Sequence, residues 1–116
     1  MVVKEKLYKA LQPLGYEITR QGSYADRELP DNLITYFITS ITDTRHYDNQ
    51  PAIAGWDIQV NFYSRDPAFI DVIPAQISAA LLAAGFTRSG KGSDGGMDKS
   101  TGHHAWYMDF YYTERI

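Results

Sequence analysis

Cysteine is absent from the 116 residues. Disulfides, iron–sulfur clusters and thiolate zinc sites are therefore excluded, a composition compatible with a reducing cytoplasm. No apolar run approaches the roughly 18 residues needed to span a bilayer. The opening Met-Val-Val-Lys-Glu-Lys lacks the order of a secretory signal, so a soluble protein made in the cytoplasm is expected. An excess of positive charge is lacking as well. Fourteen acidic residues against eleven basic ones leave a formal net charge of −3, which argues against a general nucleic-acid binder that neutralises many phosphates.

What the chain does have is a core and many tyrosines. Hydrophobic residues make up 44% of it, enough for one domain over residues 1–116 without covalent staples. Nine tyrosines are present. Tyrosine suits surfaces that stay soluble alone and become buried on association.

The stretch 52–67, A-I-A-G-W-D-I-Q-V-N-F-Y-S-R-D-P, organises the rest. Trp56, Ile58, Val60 and Phe62 alternate with Asp57, Gln59, Asn61 and Tyr63, the period of a half-buried strand. Asp66 then supplies a helix cap and Pro67 suits a first helical turn, where no amide hydrogen is needed. A helix over 67–84 follows, with Ile70, Ile73, Ile77, Leu81 and Ala84 as its apolar stripe and Pro74 predicting a kink or a separate first turn. Gly85 ends it.

Upstream, Val3, Leu7, Ala10, Leu11 and Leu14 fall on one face of a helix over 3–14, closed by Gly15. A short strand is expected at 16–20 and a loop at 21–32. Leu33 to His46 reads as a long strand whose two faces are nearly equally apolar: Ile34, Tyr36 and Ile38 against Leu33, Phe37 and Ile41. Either a bulge shifts the register midway or both faces are covered. The turn at 48–51 makes this strand and the next an antiparallel hairpin. After Gly85 a strand begins at Phe86–Ser89, the Gly/Ser/Asp-rich run 89–102 reads as a flexible hairpin tip, and His104 onward is a strand with Trp106, Met108, Phe110 and Tyr112 on one face and Tyr107, Asp109 and Tyr111 on the other.

The sum is an α+β domain in the order α-β-β-β-α-β-β: an antiparallel sheet of four to five strands, two helices on one face and a polar, tyrosine-rich face opposite. A large patch of that kind points to a partner.

Candidate chemistry is sparse. His103 and His104 with Asp94, Asp98 and Asp109 suggest a metal site, but adjacent strand residues point to opposite faces and are poorly placed to share an ion. Gly90-Lys91-Gly92-Ser93 lacks the spacing of a phosphate loop and no helix follows it. Asp43, Asp48, Asp57 and Asp66 offer carboxylates, of which Asp66 is explained as a cap and Asp48 as a turn residue. Ser23 and Ser64 have no evident base. No catalytic, cofactor-binding or metal-ligating residue is assigned, and no enzymatic activity is expected.

The segments K-E-K-L-Y-K-A-L-Q-P-L-G-Y (4–16), Q-G-S-Y-A (21–25), L-P-D-N-L-I-T-Y-F (29–37), Y-D-N (47–49), W-D-I-Q-V-N-F-Y-S-R-D-P (56–67) and A-G-F-T-R-S-G-K-G (84–92) together resemble the small tail-completion, or tail-terminator and head–tail joining, proteins of long-tailed bacteriophages and prophages. The resemblance implies a minor structural protein of the virion tail, made in the host cytoplasm. Such a protein forms a ring, often a hexamer, at the head-proximal end of the tail, with the tail tube protein and the head–tail connector as partners. It brings no active-site residues, cofactor, membrane or sequence-specific nucleic acid. Loops 21–32, 43–51 and 89–103 are the expected contact segments, and Tyr36, Tyr63, Tyr107, Tyr111, Arg45 and Lys91 the expected subunit or partner contacts. The alternative is a small cytoplasmic adaptor or regulatory binding protein without catalytic activity.

Overall fold

A computed structural model describes residues 2–22, 28–44 and 53–115. The elements are α1 (Val2–Leu11) with a 3-10 turn (Gln12–Leu14), β1 (Glu17–Arg20), β2 (Asn32–Thr44), β3 (Ile53–Ser64), α2 (Pro67–Ala83), β4 (Thr87–Met97) and β5 (His104–Arg115). One five-stranded sheet runs in the order β1-β2-β3-β5-β4.

Local chemistry sets the helix ends. The Asp66 carboxylate accepts a hydrogen bond from the Ala68 amide at 2.9 Å, and Pro67 occupies the first helical position. That satisfies one of the amides an α-helix leaves unpaired at its start. At the other end Gly85 takes φ +97°, as Gly15 takes φ +83° after α1, a conformation that favours glycine. Helix α2 is continuous through Pro74.

Both helices lie on one face of the sheet. Val3, Leu7 and Leu11 of α1 and Ile70, Ile73, Ile77 and Leu81 of α2 pack on Ile34, Tyr36, Ile58, Val60, Phe62, Met108 and Phe110. Each fully buried aliphatic or aromatic side chain contributes about 1.5–3 kcal/mol of transfer free energy, so this single layer is the main source of stability.

The sheet is mixed rather than wholly antiparallel. β1 runs parallel to β2, with Ile18 opposite Ile34, while the β2–β3, β3–β5 and β4–β5 pairs are antiparallel. The expectation of an antiparallel sheet fails at this edge because the connection after Arg20 is long enough to return the chain to the end where β1 began, as a parallel pair requires.

The near-equal faces of β2 have two causes. The register shifts between Ile38 and Ser40, so Ile41 returns to the helix-bearing side, where it is 54% exposed. Leu33, on the other face, is buried and lines a cavity that Leu29 and Thr101 also line. Tyr36 is a correction. It lies in the core, 4% exposed, with its ring edge-on to Tyr8 at 5.7 Å, and it presents no contact surface.

The run 89–102 is also not a flexible tip. Most of it is β4, which reaches Met97 with register shifts between Ser89 and Ser93 and between Asp94 and Gly96. Gly90, Gly92 and Gly96 have positive φ and supply the bulges. Only residues 98–103 form the turn into β5, closed by Asp98 N–H donating to the His103 carbonyl at 2.8 Å.

Candidate functional site

The face opposite the helices carries Thr35 and Phe37 of β2, Gln59, Asn61 and Tyr63 of β3, and Ala105, Tyr107, Asp109 and Tyr111 of β5. Registers place Thr35, Asn61 and Tyr107 in one row. Two tyrosines lie over glycines. A Cβ on Gly95 would stand 2.5 Å from Tyr107 Cζ, and one on Gly55 would stand 2.9 Å from Tyr111 Cζ. The rings take the space that side chains at those positions would need, shielding backbone that glycine would otherwise expose. Tyr63 and Tyr107 meet edge to face at 6.5 Å. Burial raises the Tyr63 hydroxyl above the ordinary tyrosine value, and hydrogen bonding with Gln21, Thr35 and Asn61 opposes it.

At one end this face is partly roofed. Arg65 ties the roof together: its guanidinium meets the Asp31 carboxylate at 2.7 Å, its Nε–H donates to the Thr101 carbonyl at 3.2 Å, and its own amide donates to the Asp31 carbonyl. The Arg65 side chain is 39% exposed and that of Asp31 73%, so the Coulomb energy of the pair is small and its effect is to hold the two segments in place. Beneath lies a cavity of about 500 Å³ lined by Gln21, Leu33, Thr35, Tyr63, Met97, Asp98, His103 and Tyr107, among others.

His103 is the buried polar group of this roof, 3% exposed. Its Nε2 stands 2.8 Å from the Pro30 carbonyl. A carbonyl only accepts, so Nε2 carries the hydrogen. Nδ1 has no partner among the described residues, and neither does Asn61 Oδ1. A buried acceptor left unpaired costs about 1–3 kcal/mol. Thr35 Oγ1 is satisfied by donating to Gln21 Oε1. Asp98 sits on the rim. Hydrogen bonds from the Ser100 hydroxyl and amide hold its carboxyl below the usual range.

Of the expected contact residues, the structure brings Tyr63 and Tyr107 together at the cavity and places Tyr111 on the same face farther along β5. Tyr36 is on the opposite, helix-covered face. Lys91 is exposed on β4, away from the named cavity lining. Arg45 lies outside the described residues, as do parts of loops 21–32 and 43–51. His103 carried a signal in the sequence only as half of a histidine pair. Its burial depends on Pro30, 73 residues away.

Among the described residues no group of three His, Asp or Glu side chains is placed to hold a metal ion, and no helix is long and apolar enough to cross a membrane. Neither protein-family models nor curated proteins match this sequence.

Proposed function

We propose that this chain is a non-enzymatic virion assembly protein of the tail-completion kind, a terminator or head–tail joining protein that self-associates into a ring at the head-proximal end of a phage or prophage tail. The observation that carries the reading is the asymmetry of the sheet. Two helices cover one face, while the opposite face presents Phe37, Tyr63, Tyr107 and Tyr111 with no described helix over it. The resemblance of segments along most of the chain, in matching order, supports it.

In a closed ring each subunit meets the next head to tail, so two different patches are joined. Edge-to-edge strand pairing is a poor candidate for that contact. β4 is bulged twice and β1 has four residues, features that blunt sheet edges. The tyrosine face is the better one, because tyrosine gives contact area with two side-chain torsions to fix.

The test is mass by light scattering after size exclusion, alone and mixed with the cognate tail tube protein. A ring in either condition supports the reading. A monomer in both sinks it and favours the second reading, a small adaptor or regulatory binding protein, for which the cavity beside Tyr63 and Tyr107 is the specific observation.

A further inference from the structure

A ring of the proposed kind joins the tyrosine-bearing sheet face of one copy to a different patch on the next. The middle of that face is acidic. One row of the register sets Phe37, Gln59 and Asp109 side by side, and the next sets Ser40, Asp57 and Tyr111. Neither row holds a lysine or arginine from these three strands. On the adjoining edge strand, Arg88 pairs with Phe110 and so takes the helix-bearing side, while Lys91 falls in the bulge between Ser89 and Ser93. Asp109 is exposed and Asp57 half-buried. Asp57 receives the Ser40 hydroxyl at 2.6 Å, and neither carboxylate forms an ion pair with a described residue.

The two helices offer a neighbouring copy contrasting outer sides. On α1 the exposed residues include Lys4, Lys6 and Lys9 against one acid, Glu5. Lys6 already lies over an aromatic ring of its own chain, 5.4 Å from the centre of Tyr112. Lys4 and Lys9 form no ion pair with a described residue. On α2 the exposed residues are mainly apolar, among them Val72, Ala75, Ala79 and Leu82, and the one charged residue of the helix, Asp71, is another acid. Setting that side on Asp57 and Asp109 would strip two carboxylates of water with no cation in return, a costly exchange.

We propose that the tyrosine face is a docking site for α1 of a second copy of this chain, with Lys4 and Lys9 set against Asp57 and Asp109. The spacings agree. Five helical residues give about 7.5 Å of rise between the two lysines, and residues placed diagonally across an antiparallel pair, as Asp57 and Asp109 are, stand about 7–8 Å apart. The rings of Tyr107 and Tyr111, on either side of Asp109 in β5, attract ammonium groups as Tyr112 does Lys6. α1 and the tyrosine face lie on opposite sides of one sheet. Each copy therefore receives a neighbour on one side and is received on the other, and a fixed turn per copy closes such a stack into a ring. This inference rests on the ring-assembly reading and supplies its second patch.

The experiment is light scattering of the full chain after size exclusion, in the condition where the wild type forms its ring, alone or with the tube protein. Two variants reverse one patch each: Lys4→Glu/Lys9→Glu on α1 and Asp57→Lys/Asp109→Lys on the sheet. Either alone should raise the midpoint concentration of assembly about tenfold. Mixed in equal amounts they should bring it back to within about threefold of the wild type, because unlike charges then meet at every contact of an alternating ring. Raising salt from about 0.05 to about 0.5 M should weaken the wild type and the mixture alike. Asp109→Lys alone, at an exposed position, replaces the sheet variant if far-UV circular dichroism shows that Asp57→Lys disturbs the fold. A wild type that assembles while neither reversal weakens it, or a mixture that stays apart, overturns this inference and leaves the ring reading standing. Loss of assembly in Val72→Glu/Leu82→Glu, with the lysine variant still assembling, moves the contact to α2 and likewise overturns it. A wild type that is monomeric in both conditions overturns the ring reading and this inference together.

Discussion

Gly90 and Gly92 lie two residues apart in the same edge strand, and both have positive φ, +75° and +96°. Alanine at either should cost about 1–2 kcal/mol for the left-handed conformation, offset by about 0.4–1 kcal/mol from a stiffer unfolded chain. Their surroundings differ. A Cβ at Gly90 meets nothing within 4 Å, whereas one at Gly92 falls 2.6 Å from the Tyr107 carbonyl oxygen, 3.1 Å from Met108 Cγ and against Trp106 Nε1. The carbonyl cannot swing aside, because β5 is held on its far side by β3 through twelve residues of register. Overpacking of that kind adds about 1–3 kcal/mol. Gly90→Ala should therefore lose about 0.5–1 kcal/mol and Gly92→Ala about 2–4 kcal/mol. With a urea slope of about 1–3 kcal/mol per molar, the midpoints of the two variants should differ by about 1 M. The assay is urea unfolding followed by far-UV circular dichroism and by the fluorescence of Trp56 and Trp106. Two variants of equal stability, within about 0.5 kcal/mol, would refute the packing of β4 on β5 described above.

Asp66→Ala removes the cap of α2 and should cost about 1 kcal/mol, read in the same unfolding assay. Ile77→Ala, fully buried under α2, should cost about 2–5 kcal/mol, while Val72→Ala on the same helix, 54% exposed, should stay within about 0.5 kcal/mol; similar losses would mean that the helix packs on a different face. Tyr63 predicts a pH effect. Its hydroxyl titrates higher in the folded chain than in the unfolded one, so its contribution to stability is complete below the unfolded tyrosine value, about 10, and is lost as pH rises through the folded value. Tyr63→Phe should flatten the alkaline arm of the stability profile, and an unchanged arm would count against the burial of that hydroxyl.

The helices and their ends are legible locally. Asp66-Pro67 starts α2, glycines 15 and 85 stop the helices, and the stripes Val3, Leu7, Leu11 and Ile70, Ile73, Ile77, Leu81 name the buried sides. The alternation in β3 also names its faces. Tyr36 shows where such reading stops. Period two assigns it to the face of Ile34 and Ile38, yet nothing local says which face of β2 the helices cover. The glycine-rich run 89–102 fails for the opposite reason. Its residues favour a loop, and tertiary pairing to β5, with Tyr107 lying over Gly95, makes most of it a strand.

Sequence alone determined the approximate helix limits, the strand-rich α+β class and the buried sides of the helices and of β3, because capping, periodicity and glycine stereochemistry act between residues a few positions apart. Only the tertiary structure decided that β1 runs parallel to β2, that Tyr36 is core, and that Gln21, Asp98, His103 and Tyr63 share one cavity. Such outcomes rest on pairings between distant residues: β1 with β2, Tyr8 with Tyr36, Arg65 with Asp31, 34 residues apart, and His103 with Pro30, 73 residues apart. No local signal encodes which distant backbone carbonyl a histidine will meet.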